Sequence, residues 1–139
     1  YSQGNIDKIK LLLGRQPCTS GIVQTGAKRG RQLGFPTANI SLPDQFIAPG
    51  DGVYLGEAEL NLNQKLPCVI NIGSNPTFNN KHTQIEVFIM NFNKNIYGAK
   101  IKICFLKKLR SEICFENAQQ LKLQIEKDIK AARQFFKLN

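Results

Sequence analysis

From Ser20 to Leu106 the apolar residues come in short runs of strand length, and only beyond Phe115 does the spacing lengthen to that of a helix. Ala118, Leu121, Ile125, Ile129, Ala132 and Phe136 recur at helical spacing, with Lys122, Lys127 and Lys130 elsewhere on the cylinder. That stripe must be buried against something, and the preceding strands are the only candidate. Several short antiparallel strands closed by one packing helix predict a mainly β fold, a small barrel with Greek-key connections and a C-terminal helix.

The strands follow from local pattern. Gly21–Thr25 reads as a first strand leading into a glycine-rich stretch, and residues 40–51, punctuated by Pro43, Pro49 and Gly50, read as loop. Gly52–Leu60 and Lys65–Ile72 predict a hairpin around the polar turn 61–64. Gly73–Lys81 reads as loop, with Asn75-Pro76 and Asn79-Asn80 marking turns. Thr83–Phe92 and Ala99–Leu106 predict a second hairpin, in which Ile101, Ile103 and Phe105 share one face and Lys100 and Lys102 the other. Before all of these, residues 4–14 carry a short amphipathic helix pattern that Asn5 would cap and Gly14 would stop.

A chain of 139 residues suits one domain with a sizeable core: a helical linker over 1–17 and a barrel domain over 18–139. No apolar run approaches the ~20 residues of a membrane span, and no signal-peptide pattern opens the sequence, which starts at Tyr1. Cys18, Cys68, Cys104 and Cys114 form no C-x-x-C pair and His82 is the one histidine, so a structural zinc site is not expected. Cys68 and Cys104 lie in apolar strand-like runs and are expected to be reduced core residues, consistent with a cytoplasmic location. The net charge of +9 favours anionic partners, and a solvated basic face is the duller explanation of the same lysines.

Two places in the chain call for chemistry. The first is Gly26 to Asn39. Gly26, Gly30 and Gly34 recur at four-residue spacing, with Lys28, Arg29 and Arg31 among them. Glycine has no Cβ and tolerates positive φ, so successive N–H groups can turn toward one phosphate while the cations supply counter-charge. The stretch is neither a Walker A loop nor a Rossmann fingerprint. It ends in Pro36-Thr37-Ala38-Asn39, where a hydroxyl and an amide oxygen two residues apart share one side of an extended segment, as ligands for Mg²⁺ beside phosphates would. By composition alone, an ordinary surface turn remains open.

The second is Glu86. Ile85, Val87 and Ile89 occupy one face of its strand and Glu86, Phe88 and Met90 the other, so the glutamate is the charged exception in an apolar run. Either it sits at a strand end facing water, or it is kept for a purpose; burial would make it a better base. Asn71 is similarly polar within Val69–Ile72.

The string Gly30-Arg31-Gln32-Leu33-Gly34-Phe35-Pro36-Thr37-Ala38-Asn39-Ile40 resembles the signature of riboflavin kinases, which phosphorylate riboflavin to FMN. Asn71-Ile72-Gly73-Ser74-Asn75-Pro76-Thr77-Phe78, Tyr97-Gly98 and the pattern Leu109-Arg110-x-Glu112-x-x-Phe115 match the same family. Residues 4–15 resemble the segment joining the halves of bacterial bifunctional riboflavin kinase/FAD synthetases, and the resemblance runs from about Asn5 to Phe136. It implies a six-stranded barrel with a C-terminal helix. It implies ATP as phosphoryl donor, Mg²⁺ or another divalent ion held by Thr37 and Asn39, and Glu86 as the base that takes the proton of the ribityl 5′-hydroxyl. The nucleotide would contact Gly26, Lys28, Gly30, Arg31, Gly34, Phe35, Pro36, Thr37, Asn39 and Asn71, and Arg110 and Glu112 would belong to a flap over flavin and nucleotide. A fused N-terminal adenylyltransferase is the implied partner domain; its His-containing motif is not in this sequence, so FAD synthesis is not expected. The chain departs from many relatives at Phe88, where they carry histidine, and from several at Asn95, where they carry an acid.

Two rival readings stand beside this one. A non-catalytic basic barrel could bind nucleic acid, although the phenylalanines at 88, 92 and 105 lie in apolar runs and the chain has no tryptophan. A degenerate kinase fold could bind flavin without turning it over, although Thr37, Asn39 and Glu86 are all present.

Overall fold

The computed structural model describes residues 17–24, 37–41, 50–61, 64–76, 81–92 and 96–137. Among the described residues, six strands, β1 (Cys18–Gln24), β2 (Ala38–Ser41), β3 (Gly52–Asn61), β4 (Gln64–Pro76), β5 (Lys81–Ile89) and β6 (Lys100–Arg110), are followed by one helix, α1 (Ala118–Phe135). The strands close into a barrel in the order β1-β2-β5-β4-β3-β6, every neighbouring pair antiparallel. The amphipathic pattern over 4–14 lies outside the described residues.

Alternation sorts the side chains. All six strands contribute to one buried cluster, among them Val23, Ile40, Tyr54, Ile70, Ile85, Val87 and Ile103, so this set fills the barrel interior. Tyr54 and Phe105 meet edge to face with ring centroids 5.5 Å apart. The Tyr54 hydroxyl donates to the Gly50 carbonyl, and burial, reinforced by Asp51, pushes its pKa up to about 12. The alternate residues Val53, Leu55, Val69 and Phe88 face outward and form a second cluster with Met90 and with Ala132, Ile129 and Phe136 of the helix region. The glutamate strand is apolar on both faces because one face fills the barrel and the other lies under the helix.

Helix α1 starts at Ala118, the first residue of its apolar stripe, because Asn117 caps it: the Asn117 side chain accepts from the Gln120 N–H at 2.8 Å. Gln120 in return accepts from the Glu116 N–H at 3.2 Å.

Four expectations are corrected. Residues 40 and 41 are strand, not loop, because they pair with β1 as the end of β2. Gly73–Pro76 is strand, not loop: β4 runs to Pro76 and pairs with β5 as far as Pro76↔Lys81. β5 and β6 are not a hairpin. β5 pairs with β2 and β4, whereas β6 lies between β3 and β1, where it covers two edges that would otherwise expose unpaired backbone groups. Cys104 is not a reduced core residue either. Cys18 and Cys104 stand directly opposite each other on β1 and β6 and are joined in a disulfide. Cys68 is buried and free, and desolvation, with Glu57 adding to it, pushes its thiol pKa up.

Candidate functional site

The pairing registers bring the predicted residues into a single row. Asn39 of β2 stands opposite Glu86 of β5, and Glu86 stands opposite Asn71 of β4. Asn71 in turn opposes Val53 of β3, and Val53 opposes Arg110 of β6. Directly opposed residues project to the same face, so these five side chains form a band around the outer wall. One pleat along, Phe88, Val69 and Leu55 form a parallel apolar band, on which the helix rests.

Between the polar band and the helix lies a cleft of about 140 Å³. Thr37, Asn71, Glu86, Arg110, Glu112 and Asp128 are its polar walls, and apolar side chains including Phe88, Phe115 and Ile129 supply the rest. Glu86 is half-buried with its Oε1 enclosed, so it is not a strand-end glutamate facing water. Asn71 Oδ1 is also enclosed, and it has no hydrogen-bond partner among the described residues.

Arg110 is engaged with the helix. Its Nε donates to Asp128 Oδ1 at 3.0 Å and its Nη2 to Oδ2 at 2.8 Å, a forked pair, while Nη1 donates to the Ser111 carbonyl at 3.0 Å. Gln124 Nε2 donates to the same carboxylate at 3.0 Å. Asp128 is only 5% exposed. The chain reading missed it, although the signal was there: Asp128 follows Ile125 by three and precedes Ala132 by four, which puts an acid on the buried stripe.

Glu112 lies over β4 at Gly73, where a Cβ would stand 2.9 Å from its Oε1; glycine leaves that carboxylate its place. Desolvation raises the Glu112 pKa and Asp51 raises it further, with Arg110 opposing. Among the described residues no group of three or more His, Cys, Asp and Glu side chains is placed to hold a metal ion. Gly26, Lys28, Gly30, Arg31, Gly34, Phe35 and Pro36 lie outside the described residues. No helix among the described residues is long and apolar enough to cross a membrane.

The family model for riboflavin kinase (Flavokinase) matches residues 13–136. The chain belongs to the riboflavin kinase family. The bifunctional riboflavin kinase/FMN adenylyltransferase of Bacillus subtilis is 43% identical over 136 residues, covering 96% of this chain and 43% of the relative. The chain therefore spans less than half the length of that relative. Among solved structures, the riboflavin kinase of Trypanosoma brucei superposes with a TM-score of 0.60 at 26% identity, covering 88% of this chain and 81% of that one. A Streptococcus pneumoniae chain described as a macrolide-efflux protein superposes with a TM-score of 0.88 at 35% identity, covering 94% of this chain and 43% of that one. The closed six-stranded barrel with its C-terminal helix is the riboflavin kinase fold.

Proposed function

We propose that this chain transfers the terminal phosphoryl group of ATP to the 5′-hydroxyl of riboflavin, giving FMN and ADP. The observation that carries the reading is the placement of Glu86: a half-buried carboxylate on the outer wall, in register with Asn39 and in one cleft with Thr37. A base must reach the alcohol proton and be shielded enough to accept it, and a carboxylate enclosed in a cleft meets both needs.

Thr37 and Asn39 offer neutral oxygens beside that carboxylate, a donor set suited to a hard cation that completes its shell with water and phosphate oxygens. They would hold Mg²⁺, which when bound supplies charge neutralisation at the phosphates. The glycine-rich stretch 26–36 is assigned the nucleotide on its sequence. Glu86 orients the alcohol and takes its proton as the oxygen attacks phosphorus in line, and ADP leaves. Positioning and electrostatics account for most of the acceleration in such chemistry. The second activity in the relative's name, FMN adenylyl transfer, is assigned to the length of it that this chain does not span, so FMN rather than FAD is the expected product. A fused adenylyltransferase as partner domain and a cytoplasmic location belong to the same proposal.

The test is a timed incubation of the purified protein with riboflavin, ATP and MgCl₂, the flavins being separated by chromatography. FMN that appears only with both ATP and metal supports the reading. Riboflavin binding without FMN would replace it with a flavin-binding module.

A further inference from the structure

The polar band has two unlike flanks around Glu86. On the β2 side stand Asn39 and, two residues before it, Thr37, the pair assigned to metal and phosphates. On the β4 side stands Asn71, with the Glu112 carboxylate lying two residues along the same strand face, over Gly73. This second flank presents two side-chain acceptors, Asn71 Oδ1 and the Glu112 carboxylate, with the Asn71 amide N–H groups as its side-chain donors. Asn71 Oδ1 is enclosed without a partner among the described residues, and an enclosed acceptor requires a donor. Arg110, the cation among the cleft walls, has its fork on Asp128 and its remaining nitrogen on the Ser111 carbonyl. An anionic phosphate brought to this flank would meet two carboxylates and a carbonyl oxygen. A neutral hydroxyl would meet acceptors in need of its proton.

We propose that Asn71 binds the acceptor alcohol rather than the nucleotide: its side-chain oxygen accepts a hydrogen bond from a ribityl hydroxyl, so that the polyol runs from Glu86 toward β4 while the phosphates approach from β2. This rests on the proposed kinase reading and deepens it, because it fixes the direction in which the two substrates meet over Glu86. The Glu112 carboxylate, held over Gly73, extends the acceptor side of this flank along β4.

The experiment measures riboflavin affinity by flavin fluorescence for the wild-type chain, Asn71→Ala and the similarly sized Asn71→Leu, alongside the KM for ATP. Lumiflavin, which carries the same ring system with a methyl group in place of the polyol, is titrated in parallel. Losing one hydrogen bond of ordinary strength should raise the riboflavin Kd about tenfold in both variants. The lumiflavin Kd and the ATP KM should stay within about twofold, since a tenfold change is the effect being sought. A rise confined to the ATP KM, or equal losses for riboflavin and lumiflavin, would overturn the assignment. So would unchanged riboflavin affinity in variants that melt as the wild type does. If the wild-type chain neither binds riboflavin nor makes FMN, the kinase reading itself fails and takes this inference with it; turnover with unaltered variants sinks the inference alone.

Discussion

Two stretches of the barrel's outer wall share strands β3, β4 and β6 and are opposite in character. On one, the helix roofs an apolar band, and the polar band beside it lies in a cleft with Asn71 and Glu86 oxygens enclosed. On the other, Ser20, Lys102, Glu59 and Lys65 stand in one register row across β1, β6, β3 and β4, with Lys102 and Lys65 exposed to water. Polar groups in water exchange one partner for another at little cost. Under a roof each one needs a partner or a reason. That difference, more than the count of charges on either wall, says where chemistry is to be sought.

The sharpest way to break the comparison is at Glu86. Glu86→Gln keeps shape and removes the base, so kcat should fall by about 10² to 10⁴, the usual worth of a positioned general base. The KM for ATP should change little, because the carboxylate acts on the alcohol. Steady-state kinetics with each substrate varied separates the two. Equal turnover in the variant would remove Glu86 from the mechanism and leave the roofed wall with an unexplained carboxylate.

Next in size is the ion pair that ties the roof to the wall. Asp128→Ala leaves the Arg110 guanidinium without its forked partner. Breaking a buried pair costs about 3 to 5 kcal/mol, and the 18% exposure of the Arg110 side chain brings the expectation to about 2 to 3 kcal/mol. Thermal denaturation should show Tm lower by roughly 10 °C. The double variant Arg110→Met with Asp128→Leu should recover most of that loss, because it removes both charges together. A double variant as unstable as the single one would mean that the pair holds the helix by geometry that apolar contact does not replace.

Local pattern carried the fold class and much of the site. The alternation around Glu86 places it on the face opposite Ile85 and Val87, and the 3.6-residue stripe places the helix. What it did not carry is everything that joins distant residues. Gly73-Ser74-Asn75-Pro76 reads as a turn residue by residue, yet β5 offers it a pairing edge and it stays extended. Lys100–Arg110 carries strand periodicity but no sign of which strands it joins. The Cys18–Cys104 bond spans 86 residues, and nothing near either cysteine announces the other. Asp128 shows that it is buried by its position on the stripe, while its partner lies at the end of β6. Face and period are local properties; register between strands is not.

The smallest effect belongs to the open wall, and its smallness is the prediction. Glu59 stands between Lys102 on β6 and Lys65 on β4, so opposite charges alternate across three strands. Opposed charges on a sheet face contribute roughly 0.2 to 1 kcal/mol, and solvent screening holds exposed pairs to the low end. Lys102→Ala should therefore change stability by no more than about 0.5 kcal/mol, and raising salt should shrink even that difference. Denaturant unfolding at low and high ionic strength measures both. A loss of about 2 kcal/mol that persisted in high salt would show that the Lys102 stem packs on the wall, since only apolar contact survives screening. The open wall would then be roofed as well, by its own side chains.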